Sequence, residues 1–220
     1  MISLKRSVEV EFISDIVCPW CAIGLHSLLA ALIRVQDSIE VKISFQPFEL
    51  DPAMPEGGED STAYVGRKYA LSAAEAARNR QTIRARAAEV GFDMASIDSR
   101  RLYNTFDAHR LVHWAELEKR QIGLELVLFA AHFTYGADVS NLDVLANAAQ
   151  VVGLDPSAAR EILTSGAYAN KVRCAEADWH SRGIRSVPTL ILQQKYRISG
   201  ASRPRDYEEA LRRVAAQQPG

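Results

Sequence analysis

Between residues 8 and 45 the hydrophobic positions change period twice, and this limits the fold more than any other feature of the chain. Val8, Val10 and Phe12 alternate with Glu9 and Glu11, the period of a half-buried strand over Val8 to Ser14. Leu25, Leu28, Leu29, Leu32 and Ile33 then follow at i, i+3, i+4, i+7 and i+8, one apolar stripe of a helix. Ile39, Val41, Ile43 and Phe45 alternate again and give a second strand. Strand, helix and strand in so short a stretch make a βαβ unit, which calls for parallel strands joined by a right-handed crossover.

The next punctuation is a run of breakers, Pro47, Pro52, Pro55, Gly57 and Gly58, read as a loop and a boundary. From 61 to 182 the patterns are helical: Ser72 to Val90, Ser99 to Lys119, Leu124 to Tyr135, Asn141 to Val152, Asp155 to Leu163 and Ala167 to Arg182. Leu124 to Tyr135 is apolar nearly all round and is expected to be buried. Asn141 and Asp155 are good N-caps, Pro156 suits a first helical position, and Gly183 closes the last of these helices. Thr189 to Leu192 and Tyr196 to Ser199 read as an antiparallel hairpin across Gln193-Gln194-Lys195, and Pro204 opens a final helix through Leu211 and Val214. The expected class is α/β, a βαβ–ββα core with an all-helical insertion between its second and third strands. The domain reading is a discontinuous unit, 1–55 with 183–220, linked by helix 167–182 to a helical insertion over 56–166.

Composition removes several classes. The 220 residues carry 26 Lys and Arg against 27 Asp and Glu, a net charge of −1. There is no global positive field to draw a nucleic acid, so none is expected as a partner. No apolar run reaches the roughly 18 residues that a membrane span needs, so no membrane is expected either. The opening residues carry two acids and no apolar core of a secretory signal, and three cysteines are too few for a disulfide scaffold. The expected location is the cytoplasm.

Chemistry concentrates at Cys18-Pro19-Trp20-Cys21, where the first strand gives way to the first helix. Cys18 falls at the helix N-cap, where unpaired amides and the positive end of the dipole favour a thiolate, the reactive form of cysteine. Pro19 takes the first helical position at no cost. Cys21 lies one turn in, so Cys18 would attack a partner disulfide and Cys21 would resolve the mixed disulfide. A CxxC pair also serves zinc, but a structural site takes four ligands and Cys174 is the one cysteine left, so no metal is expected. Asp15, three residues before Cys18, is a candidate acceptor for the Cys21 proton if buried, and otherwise a loop acid or turn cap. His109 and His113 are four apart on a helix but Arg110 stands between them, and they read as structural or as partners of nearby carboxylates. His26 reads as facing solvent, Arg78, Arg80, Arg84 and Arg86 as a solvated helix face, and Cys174 as a quiet buried thiol. Val187-Pro188 precedes the third strand, and the residues alone leave its isomer open.

In its element order and motifs the chain resembles the DsbA family and, within it, the FrnE-like subfamily. The carrying segments are Asp15 to Gly24, Pro47-Phe48-Glu49-Leu50-Asp51-Pro52, Asn104 to Leu111, Gly183 to Thr189, and Ile198-Ser199-Gly200-Ala201. The resemblance implies a thioredoxin-like fold in which Pro188 is cis and packs against the Cys18–Cys21 pair, excluding a metal. Val187 would offer its backbone to an extended substrate, and Pro19, Trp20 and Val187 are the expected substrate-binding residues beside catalytic Cys18, Cys21 and Pro188. Ser186 departs from the Gly expected there, and the lone Cys174 argues against a second redox pair.

The activity so implied is thiol–disulfide oxidoreduction on a protein or small-molecule disulfide or thiol, with no bound cofactor and glutathione admitted as a co-substrate. The alternative is a glutathione-dependent isomerase or transferase resembling 2-hydroxychromene-2-carboxylate isomerase and the kappa-class glutathione transferases. Those enzymes usually place Ser where Cys18 stands, and kappa-class members carry Gly-Ser-Asp where this chain has Gly200-Ala201-Ser202. A non-catalytic role in a biosynthetic assembly is a third reading, opposed by the intact cysteine pair. The apolar insertion helices leave room for a homodimer.

Overall fold

The alternation at the start of the chain does build a strand with two faces. The computed structural model describes residues 5–98 and 100–217. In it β1 (Arg6–Ser14) pairs in parallel with β2 (Ile39–Pro47), setting Val8 opposite Val41, Val10 opposite Ile43 and Phe12 opposite Phe45. The helix between them is α1 (Pro19–Val35). Strand β5 (Thr189–Leu192) adds to the other side of β1 in the antiparallel sense, and β6 (Tyr196–Ser199) follows it as the second arm of the hairpin, giving the order β2-β1-β5-β6. Successive residues of β1 point to opposite faces. Phe12 joins the core under α1 and α9 (Pro204–Ala216) with Tyr207 and Leu211, whereas Ile13 packs with Ile191 against Trp179 of α8 (Ala169–Ser181). Fully burying a side chain such as Phe12 contributes roughly 1.5–3 kcal/mol.

The buried seam of α1 is Cys21, Leu25, Leu28, Ala31 and Val35. It is rotated from the leucine stripe: Ile33 is 68% exposed. The small residues Ala22, Gly24 and Ala31 are buried on the same helix.

The stretch between β2 and β5 is mostly helical, with two departures from the sequence reading. The Pro- and Gly-rich loop ends in a two-residue strand, β3 (Glu59–Asp60), which pairs with β4 (Arg101–Leu102) inside the stretch read as a helix from Ser99. Ser99 itself lies outside the described residues, as do 1–4 and 218–220 at the outer ends of the sheet-bearing ranges. A helix, α2 (Ser61–Tyr69), lies within the stretch read as helical but before its first named segment; it starts directly after β3, its N-cap Asp60 accepting from the amides of Thr62 and Ala63. Its β-branched and glycine residues are weak helix formers, so packing and the cap hold what propensity does not. The remaining helices are α3 (Ala73–Glu89), α4 (Phe106–Leu117), α5 (Gln121–Phe133), α6 (Leu142–Val151) and α7 (Pro156–Ser165). Ser72 and Glu75 close a capping box on α3, Asn141 and Asp155 cap α6 and α7, and α5 buries one face while Ile122 stays 36% exposed. Among the described residues no helix is long and apolar enough to cross a membrane.

Candidate active site

Cys18 is the N-cap of α1, with φ −88° and ψ 112°. Its main-chain N–H donates to the Asp15 carbonyl at 3.1 Å, and its own carbonyl accepts from Cys21 at 3.0 Å and Ala22 at 3.3 Å. The thiol makes no capping bond and donates to the Val187 carbonyl at 3.7 Å. The Val187–Pro188 bond is cis. Cys21 sits one turn deeper and is completely buried, and both cysteines are free thiols. Burial, then the hydrogen bond and charge of Cys18, push the Cys21 thiol well above its ordinary pKa. Gly24 leaves room here: a Cβ at this position would stand 3.2 Å from Pro188 Cγ, a tight contact that Pro188 would have to relieve by a few tenths of an ångström.

Behind the cysteines three distant segments meet. Asp15 is buried, and its Oδ2 accepts from the Leu50 amide at 2.6 Å while Oδ1 accepts from the Val17 amide at 3.4 Å. His109 Nε2, on α4, stands 3.7 Å from Asp15 Oδ1, an ion-pair contact too long for a hydrogen bond. Burial opposes charge on His109, but the carboxylates of Asp15, Glu125 and Glu176 outweigh it and raise the pKa. Glu125, on α5, accepts from the Ser14 hydroxyl at 3.3 Å, and burial raises its pKa to about 7 against the lowering pull of His109. The loop after β2 is fastened to α4 and α8 as well: buried Glu49 accepts from Asn104 at 3.3 Å and from Arg173, whose guanidinium lies 3.8 Å from the Phe106 ring centre. The segments around Pro47 to Pro52 and Asn104 to Leu111 therefore touch each other and Asp15.

On the opposite side Cys18 lines a cleft of about 930 Å³. Its walls come from Trp20 on α1, Leu50 after β2, Tyr64 on α2, Ile83 on α3, Arg100 before β4, and Val187. Cys18, Pro19, Trp20 and Val187 all line it, whereas Cys21 and Asp15 do not. Such a site can hold a ligand against one sulfur while the second sulfur waits behind it.

The sequence pattern of the DSBA-like thioredoxin domain matches residues 9–212, nearly the whole chain. The chain belongs to that family. A probable DsbA oxidoreductase from Streptomyces coelicolor is 29% identical and superposes with a TM-score of 0.86, covering 97% of this chain and 92% of that one. A 2-hydroxychromene-2-carboxylate isomerase shares the fold at 17% identity and a TM-score of 0.73, over 95% and 97% of the two chains. The cytosolic disulfide reductase DsbM from Pseudomonas aeruginosa, in a structure with GSH, shares it at 16% and 0.62, over 94% and 99%.

This DsbA-like chain departs from the sequence reading at two more side chains. Cys174 is exposed, because α8 buries the face of Val172, Glu176 and Trp179 and Cys174 falls on the other side. His26 is half-buried and stacks on Phe92 at 4.6 Å, a ring supplied from beyond α3. The arginine face of α3 is in part engaged, Arg80 and Arg84 both holding Asp98. His109 faces Asp15, while the His113 ring lies edge-on to Tyr168 at 5.1 Å. Two site residues were missed. Glu125 had a signal, a lone acid within the apolar run of α5. Arg100 had none, standing beside Arg101 in a stretch without a period.

Proposed function

We propose that this DsbA-like protein is a dithiol–disulfide oxidoreductase in which Cys18 attacks and Cys21 resolves. The observation that carries the reading is the unequal placement of the two sulfurs: both residues are buried, but Cys18, 4% exposed at the amide end of a helix, lines the cleft, and Cys21, one turn below it, does not. The Cys18 thiolate attacks a sulfur of the substrate disulfide, that S–S bond breaks, and one substrate thiolate leaves. Cys21 then gives up its proton, attacks Cys18 Sγ and expels the second substrate thiolate. Two electrons pass to the substrate and the protein keeps the Cys18–Cys21 disulfide. Asp15 takes the Cys21 proton, and His109 behind it offsets the charge on the carboxylate. Val187 closes the wall facing Cys18, its carbonyl accepting from the Cys18 thiol.

We assign the chain to the FrnE-like branch and to a reducing role in the cytoplasm, with a low-molecular-weight thiol such as glutathione as co-substrate. The quoted motifs and the fold shared with a cytosolic reductase structure holding GSH support this. Reduction of insulin disulfides tests the central claim. Cys18→Ser is expected to abolish turnover, and Cys21→Ser to accumulate a mixed disulfide on Cys18 visible by mass spectrometry. An inactive wild type with no trapped adduct rejects the reading. The glutathione-dependent isomerase reading draws on the same cleft and the shared fold, and it requires a Cys18→Ser protein that remains active.

A further inference from the structure

Arg100 is 7% exposed, and its Nε and Nη1 atoms are buried with no hydrogen-bond partner among the described residues. It makes no ion pair among the described residues. The Phe133 ring lies 5.1 Å from the guanidinium carbon and offers a π-face but no lone pair for the N–H groups. Leaving such donors unmet in an interior is costly, and a buried arginine is normally paired. The acids of the same cleft are already engaged: Glu49 holds Arg173 and Asn104, and Glu75 closes the capping box on Ser72. Arg100 nevertheless lines the cleft that holds Cys18, fixed there by its carbonyl, which accepts from the Ser61 amide at 3.2 Å.

We infer that Arg100 is the anchor for a carboxylate of a small disulfide or thiol substrate, holding it in the cleft with its sulfur toward Cys18. The inference rests on Cys18 being the attacking thiol. Size favours a small molecule, since α2 and α3 wall the cleft and its 930 Å³ falls in the range of small-ligand pockets. A carboxylate pairs with a guanidinium through Nη2 together with either Nε or Nη1, so a fork on Arg100 would meet one of the two unmet donors. Burial lowers the Arg100 pKa to about 10, which still leaves it cationic at neutral pH, and the charge of Cys18 is felt there. A cation facing this cleft also favours the developing thiolate of the leaving group.

The test is the rate at which the pre-reduced protein is oxidised by oxidised glutathione, an anionic disulfide, and by bis(2-hydroxyethyl) disulfide, a neutral one. Wild type is expected to prefer the anionic substrate, with a preference that weakens as salt is added. In Arg100→Gln the ratio of the two rates is expected to fall about 10- to 100-fold, the scale of one lost charge-assisted bond, and Arg100→Lys is expected to restore part of it. Each ratio is taken within one protein, so partial misfolding cancels, and the salt dependence of wild type stands if neither variant folds. An unchanged ratio in Arg100→Gln, or a wild type that does not discriminate, overturns the anchor. Failure of wild type to react with either disulfide rejects the oxidoreductase reading instead.

Discussion

Arg100 on the cleft wall and His132 within its field are both cationic when protonated, and among the described residues each has a buried side-chain nitrogen with no hydrogen-bond partner, whereas the buried acid of the same wall, Glu49, is held by Arg173. Behind the cysteine pair, Asp15, His109 and Glu125 lie within one another's fields and carry both signs. Burial by itself disfavours charge on either side. Its outcome differs because the neighbours differ. Burial and then the Arg100 charge hold His132 down to about 3, so it stays neutral, whereas nearby carboxylates raise His109 despite complete burial. A buried cation without a counter-charge is suited to a ligand that brings one. A buried group with both signs around it is suited to passing a proton.

The strongest way to break this contrast is Asp15→Asn. If the rear cluster serves Cys21, resolution of the mixed disulfide is expected to slow by about 10²- to 10³-fold, the usual scale for losing a proton acceptor. Rapid-quench trapping of the adduct checks it, and resolution at the wild-type rate removes Asp15 from the chemistry. Glu125 comes next. Its carboxyl titrates at about 7 when folded against an ordinary 4.5, so its stabilising contribution is complete below 4.5 and is lost as pH rises through 7. Glu125→Gln is expected to remove that loss, up to about 3 kcal/mol and roughly 5–10 °C in Tm at pH 8.5 relative to its own value at pH 4. A wild type and a variant with parallel Tm–pH curves would contradict it.

His132 sharpens the contrast from the other side with a smaller effect. Its folded pKa of about 3 lies below the ordinary 6.5, so its contribution is complete above 6.5 and declines as pH falls toward 3. His132→Asn is expected to flatten the acid limb of stability by about 2 kcal/mol between pH 7 and pH 5, measured by urea midpoints within each protein. Front and rear then titrate in opposite senses, and a common direction for both variants would dissolve the distinction drawn here.

Much of the fold was legible because its signals are local. The alternation of Val8, Val10 and Phe12 needs only neighbours in sequence, and so do the caps Ser72, Asn141 and Asp155 and the cysteine pair at a strand-to-helix junction. Strand pairs of two residues have no period to read, so β3 and β4 were invisible, and α2 fell in a stretch read as helical but got no bounds because its residues favour a helix weakly. Cys174 and His26 were misplaced because the buried face of a helix is set by what packs on it.

The sequence by itself determined the order of elements and the position of Cys18 at a helix start, since periodicity and capping act over a few residues. The tertiary structure alone decided the surroundings of those sulfurs. Asp15 meets Leu50 across 35 residues and Ser14 meets Glu125 across 111, while Arg100 reaches the cleft through the β3–β4 ladder. Charge neighbours and burial depend on distances that the folded chain creates, and these determine which buried groups pair and which are left for a ligand.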